Sequence, residues 1–232
     1  MGIIANTYRR LTAGRLRYPT FAVIAYFVIA AVGSLSVLGA MGVAKAWGPD
    51  VLATGPGVPD IENFRQVDDK LYAGAQPLGN SFQELADLGV TLVVDLRSGD
   101  LGDPIVDDPQ LLASLGMEYL PMPLTDGHAP TSEMVRAFVE AVGAAEGRVY
   151  MHCGGGVGRS GALQGAYLNA VGSDFSVTEY LAVGPPTFEQ LFYVWQGEPG
   201  DPPSRNGAVA AFSRYVVDGP RTVLTWVRGL LS

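Results

Sequence analysis

The chain's only cysteine sits in the stretch Arg148-Val149-Tyr150-Met151-His152-Cys153-Gly154-Gly155-Gly156-Val157-Gly158-Arg159-Ser160-Gly161. Five residues separate Cys153 from Arg159, and four of them are glycine. A thiol attacks as thiolate, a minor species at neutral pH when the pKa is the ordinary ~8.5. Loop N–H groups, a helix N-terminus and an arginine all favour the anion, and thiols so placed titrate at roughly 3.5–7.5. The same surroundings suit a phosphoryl group. The backbone N–H groups of Gly154, Gly155, Gly156, Val157, Gly158 and Arg159 can converge on an anion. The planar fork of Arg159 can take two of its oxygens. A nucleophile inside a phosphate cradle implies a phosphocysteine intermediate.

Such a cradle needs elements to aim it. Val149 to Met151 read as the end of a short buried strand, and Ala162 to Leu168 as a helix. Strand, glycine loop and helix N-terminus together point the positive end of a helix dipole at the loop. A nucleotide-binding P-loop would require glycine at position 153 and lysine at position 159, and this chain has neither. The remaining alternative, an inert buried cysteine in a tight turn, gives the arginine and the glycines no purpose.

The string His152-Cys153-x5-Arg159-Ser160-Gly161 resembles the signature of cysteine-dependent protein tyrosine phosphatases, in particular their compact dual-specificity branch. The resemblance implies Cys153 as nucleophile, Arg159 as phosphate ligand, Ser160 as the hydroxyl that helps the thiolate leave, and His152 as support for the loop. It implies no cofactor and no metal. The family's general acid is an aspartate in a loop upstream of the cysteine. Asp126, in the proline-bounded loop Pro121–Pro130 and 27 residues before Cys153, is the match. The plainer reading of Asp126 is a turn residue before Gly127. His128, in the same loop, reads as an exposed loop histidine. Asn63 to Pro77 and Asp95-Leu96-Arg97 also resemble the bacterial and plant-type members. Gln190 is a candidate to orient the hydrolytic water, with packing as the plainer alternative. One cysteine excludes an internal disulfide and the resolving cysteine that thiol reductases need.

The loop carries no lysine, which favours a singly phosphorylated ester: phosphotyrosine, with phosphoserine and phosphothreonine as further substrates. A phosphoinositide or phospholipid phosphatase, or a non-catalytic membrane-tethered phosphate-binding module, are the alternatives. The partners expected are a phosphorylated protein or phospholipid substrate and a membrane.

The membrane expectation comes from Phe21 to Ala44, which run without a charge. At about 1.5 Å per residue this apolar stretch crosses a hydrocarbon core of ~30 Å. Arg9, Arg10, Arg15 and Arg17 precede it with no acid between them, so the positive-inside rule places the N-terminus in the cytoplasm and the catalytic domain outside. Ala44-Lys45-Ala46 also resembles a small-x-small cleavage site. Residues 47–201 carry 6 basic and 22 acidic side chains, which argues against nucleic acid as a partner.

Elsewhere, periodicity and caps predict a hairpin over 63–77 turning at Asp68-Asp69, and a helix over Phe82–Leu88 capped by Ser81 with Glu84 completing a capping box. They further predict a central strand over Val90–Leu96, a short helix over Leu111–Leu115 and a strand over 117–122. A helix over Glu133–Ala145 buries Val135, Phe138, Val139 and Val142, and helices begin after Ser160, at Ser176 and near Pro186. Asp100 to Asp108 read as a solvated acidic loop. The fold implied is α/β: a central, mostly parallel sheet flanked by helices, preceded by one transmembrane helix. The expected organisation is a basic cytoplasmic N-terminus (1–18), a transmembrane signal anchor (19–46), a linker (47–62), a phosphatase domain (63–198) and an amphipathic C-terminal tail (199–232). In that tail Val223, Leu224, Val227, Leu230 and Leu231 share one helical face.

Overall fold

The computed structural model describes residues 17–99, 109–200 and 203–219. The basic N-terminus, the acidic loop after Gly99 and the amphipathic pattern at 223–231 lie outside these residues. The elements run α1 (Arg17–Trp47), β1 (Arg65–Gln66), β2 (Leu71–Gly74), α2 (Ser81–Asp87), β3 (Val90–Asp95), α3 (Pro109–Ser114), β4 (Glu118–Pro121) and α4 (Ser132–Ala144). They continue with β5 (Arg148–His152), α5 (Gly158–Ala170), α6 (Val177–Val183), α7 (Phe188–Trp195) and α8 (Gly207–Phe212), which passes into a π-helical turn at Ser213–Val217.

The five strands form one sheet in the order β1-β2-β5-β3-β4. Only β1 is antiparallel; β2, β5, β3 and β4 are mutually parallel neighbours. The sheet is therefore mostly parallel, with β5, the strand that leads to Cys153, between two others. Side chains alternate across it as strand geometry requires. Leu92, Val94, Val149 and Met151 face a core shared with Phe138 and Leu163, whereas Val93 and Tyr150 face a second core with Phe64, Phe82 and Leu85. Both faces are covered, which is why these strands read as continuous apolar runs.

The hairpin turns where expected. Asp68 Oδ1 accepts the N–H groups of Lys70 (2.8 Å) and Leu71 (2.7 Å), closing the turn with its own side chain. Thr131 caps α4 and Ser176 caps α6, the latter with Glu179 as a full capping box. The expected cap of α2 is different. Asn80, not Ser81, is its N-cap, and Ser81 Oγ donates to the Asp60 carbonyl at 3.1 Å. Glu84 accepts from the Asp60 N–H at 2.9 Å. Both side chains expected to cap the helix are instead spent on fastening the preceding segment.

That segment also departs from the expected tether. The Ala53 N–H donates to the Phe64 carbonyl at 3.0 Å, and the Ala75 N–H to the Glu62 carbonyl at 2.9 Å. Ile61 is buried in the second core. The second half of the linker thus forms part of the domain surface, although nothing periodic announces it.

Helix α1 has 31 residues, about 46 Å at the usual rise, and Pro19–Trp47 are long and apolar enough to cross a membrane. Its last turns do more than lead out of such a span. Val37, Met41 and Ala44 pack with Leu181 and Ala182 of α6 and with Val51. Further up, Ser34 Oγ donates to the Val217 carbonyl at 3.3 Å, and a Cβ on Gly33 would lie 2.7 Å from Val217 Cγ1. Elsewhere the helix exposes Phe21, Ile24, Phe27, Val28 and Leu35.

Candidate active site

The carbonyls of the loop between β5 and α5 are engaged by the elements around it. The Gly154 carbonyl accepts from the Gln76 N–H (3.1 Å), that of Gly155 from Asn63 Nδ2 (2.8 Å), and that of Gly156 from Arg65 Nη1 (2.8 Å). The Gly158 carbonyl accepts from the Tyr180 hydroxyl at 2.6 Å. Helix α5 begins at Gly158 rather than after Ser160, so Arg159 and Ser160 lie in its first turn, where backbone N–H groups lack intrahelical acceptors. Gly156 has φ +69°, and a Cβ there would overlap the backbone of Gly74 and Ala75. Glycine is required at this position by both conformation and space.

Cys153 is buried, with Sγ 3.3 Å from Ser160 Oγ. A hydroxyl at that distance can donate to a thiolate. The guanidinium of Arg159 is 4% exposed. Its Nη1 faces the carbonyls of Leu96 (3.4 Å) and Leu124 (3.3 Å), and its Nε stands 3.6 Å from Asp126 Oδ1. These contacts come from the loops following β3 and β4, so the parallel order of β5, β3 and β4 places the cation at the carboxyl ends of the strands. This is where open α/β sheets bind ligands.

Asp126 is 52% exposed, and its loop is pinned to α7. Thr187 Oγ1 donates to the Gly127 carbonyl (2.7 Å), Gln190 Nε2 donates to the His128 carbonyl (3.0 Å), and the Ala129 N–H donates to Glu189 Oε1 (3.2 Å). Gln190 Oε1 in turn accepts the Thr187 N–H at 3.0 Å, completing a capping box. The amide of Gln190 is thus committed at both ends to the cap and the acid loop.

His128 is half-buried, not a free loop residue. Its ring meets the guanidiniums of Arg205 (2.6 Å) and Arg214, and Arg205 also pairs with buried Glu189 at 2.6 Å. Burial, with the two arginines, holds the imidazole below its ordinary value against the opposing pull of Glu189 and Asp126.

His152 is fully buried and stacks on Tyr150 at 5.7 Å between ring centroids. Its Nδ1 is 3.9 Å from Asp95 Oδ1. Asp95 accepts from the Arg97 N–H and Nε, each at 2.9 Å, from Arg97 Nη2 at 2.8 Å and from the Tyr119 hydroxyl at 2.9 Å. Burial pushes this carboxyl up, but the Arg97 hydrogen bonds and the charges of His152 and Arg97 together outweigh it and hold it below the usual range.

The fold therefore brings Cys153, Ser160, Arg159 and Asp126 to one place. It sets His152 in the sheet beneath them and gives Gln190 to the acid loop. Residue-type reasoning does not find Asn63, Arg65, Gln76, Tyr180, Thr187 or Glu189. The available signal was the Asn63-Phe64-Arg65 string, whose Asn63 adopts φ +55° to reach the loop.

The model of a family described as DSP-PTPase phosphatase fused to NAD+ kinase matches residues 57–191. The chain belongs to this family. The matched segment is accordingly a domain of the dual-specificity and tyrosine phosphatase superfamily. The tyrosine-protein phosphatase cdcA of Emericella nidulans is 32% identical over 96 residues, covering 40% of this chain and 15% of that protein. The chain thus spans only a small part of that curated relative's length. Among solved structures, a DUF442 protein from Shewanella putrefaciens is 25% identical, covering 54% of this chain and 82% of its own, with a TM-score of 0.48. TpbA of P. aeruginosa is 25% identical, covering 75% and 95%, with a TM-score of 0.44.

Proposed function

We propose that the chain hydrolyses phosphotyrosine esters by way of a phosphocysteine. Cys153 attacks phosphorus in line, forming the S–P bond as the ester P–O bond breaks, and Asp126 gives its proton to the departing oxygen. The loop N–H groups and Arg159 hold the equatorial oxygens throughout. Water, deprotonated by Asp126, then attacks phosphorus and releases phosphate, while the Ser160 hydroxyl steadies the leaving thiolate. His152 backs the loop from the sheet, and Gln190 fixes the acid loop on α7.

The observation that carries this reading is the convergence of Cys153, Ser160, Arg159 and Asp126 at a loop whose carbonyls are held by Asn63 and Arg65. The substrate class is supported by an open groove of about 580 Å³ beside Gly154, whose lining includes Asp60, Glu62, Glu84, Gln76 and Leu78. Carboxylates there repel a polyphosphorylated headgroup and tolerate a singly phosphorylated side chain. The test is a panel of phosphotyrosine peptide, phosphoserine peptide and phosphoinositide, offered to the full chain in detergent. The phosphotyrosine peptide should give the highest kcat/KM. A clear preference for the phosphoinositide would make the enzyme a lipid phosphatase. Binding of a phosphate mimic with no turnover of any ester would make it a non-catalytic module.

For its location we infer a single-pass protein with a cytoplasmic N-terminus and an extracytoplasmic catalytic domain. A hydrocarbon core of ~30 Å takes about 20 residues of helix, and α1 has 31. Protease added outside intact cells should digest the domain; complete protection until lysis would reverse the orientation.

A further inference from the structure

Arg65 is the most deeply buried cation near the site, at 1% exposure. It lies on β1, 88 residues before Cys153 in sequence, and none of the chemistry above uses it. Its Nε donates to Gln164 Oε1 of α5 at 2.6 Å, and its Nη1 donates to the carbonyls of Asn63 (3.0 Å) and Gly156 (2.8 Å). Nη2, also buried, has no hydrogen-bond partner among the described residues. Among the described residues, every acceptor it meets is neutral and no carboxylate pairs with it.

A buried charge without an opposite charge is costly, and such cations are ordinarily found paired. Cys153, Tyr150 and Tyr180 are the ionisable groups that act on Arg65 as potential anions, with the thiol the strongest. Both phenols spend their protons as donors, Tyr150 to the Ala75 carbonyl (2.5 Å) and Tyr180 to the Gly158 carbonyl (2.6 Å). That leaves the sulfur of Cys153. Burial pulls the Arg65 guanidinium down to about 10, against the opposing pull of Cys153, so it keeps its charge at neutral pH.

We propose that Arg65 is a positioning residue with two linked tasks: it is the buried counter-charge of the Cys153 thiolate, and through the Gly156 carbonyl it holds the phosphate loop in its binding shape. Arg159 and Arg65 then divide the work. Arg159, at the mouth, meets the substrate's oxygens; Arg65, beneath the loop, serves the sulfur before substrate arrives. The division accounts for an arginine at position 65, since one planar group must reach Gln164, Asn63 and Gly156 at once. The inference rests on Cys153 being the nucleophile, and its test separates the two claims.

The experiment measures iodoacetamide alkylation of Cys153 in the full chain between pH 5 and 9, for wild type, Arg65→Gln and Arg65→Lys, with thermal melts to establish folding. Wild type should remain reactive at pH 6. Arg65→Gln should react about tenfold more slowly at pH 6, with the gap closing by pH 9, as expected when a nearby opposite charge is lost. Arg65→Lys, which retains a cation, should stay within about threefold of wild type at pH 6 even if its melting point falls. Arg65→Gln tracking wild type at every pH would overturn the proposal. So would Arg65→Lys losing reactivity at pH 6 as a free thiol does, and this second result decides the matter if Arg65→Gln does not fold. A wild-type profile like that of free cysteine would instead remove the activated nucleophile itself.

Discussion

Cys153→Ser abolishes turnover of an aryl phosphate while the protein still binds a phosphate mimic such as vanadate or tungstate. The reason lies in how the site divides its labour. The cradle consists of backbone N–H groups and Arg159, and its shape is held by Asn63, Arg65, Gln76 and Tyr180. None of these contacts involves the sulfur. Serine replaces it with a smaller, far less acidic nucleophile, so the S–P bond cannot form while the anion site remains. Steady-state assay and calorimetric titration of the mimic check both halves. Hydrolysis at the wild-type rate would remove cysteine from the chemistry, and loss of binding along with activity would mean the sulfur is needed to build the loop.

Asp126→Asn has the second-largest effect, and its size depends on the substrate. A general acid contributes about 10²–10⁴-fold, and only where the departing oxygen needs a proton. An alkyl or unactivated aryl phosphate should therefore lose most of that factor, and a strongly activated aryl ester much less. The geometry suits the role: Asp126 is half-exposed at the mouth, held 3.6 Å from Arg159, on a loop fastened to α7 by Thr187, Glu189 and Gln190. Plotting log kcat against leaving-group acidity should give a steeper slope for the variant than for wild type. Parallel lines displaced by a constant would make Asp126 a loop-shaping residue, and the acid would then be sought among Asp100, Asp103, Asp107 and Asp108.

The candidate site is legible in the sequence because it is local. The proposed nucleophile, the glycine loop, the arginine and the serine occupy eight consecutive positions, and the strand before them and helix after them carry plain apolar patterns. The sheet was legible for the same reason, since β3 and β5 are buried on both faces and read as unbroken β-branched and apolar runs. What holds the site in place was not legible. Arg65 reaches Gln164 across 99 positions, Asn63 reaches Gly155 across 92, and Thr187 reaches Gly127 across 60. Hydrophobic periodicity and capping patterns carry no trace of such contacts. Ser81 illustrates the converse failure: a good capping signal is overridden because a carbonyl of the preceding segment competes for the hydroxyl. Gln190 is a related case. A polar residue near the end of the domain suggests solvent chemistry, but here it is 1% exposed and caps its own helix.

The central claim is that phosphorus passes through the sulfur of Cys153. Rapid mixing of enzyme with excess labelled phosphotyrosine peptide, followed by quenching within one turnover and mass spectrometry of the proteolysed chain, tests it most directly. The account predicts a phosphoryl group on the peptide containing Cys153, appearing before free phosphate and decaying as phosphate is released. It also predicts that Asp126→Asn, offered an activated aryl phosphate, lengthens the life of that adduct, because water then lacks its base. Phosphate release with no adduct on any residue, or an adduct on a side chain other than Cys153, would contradict it.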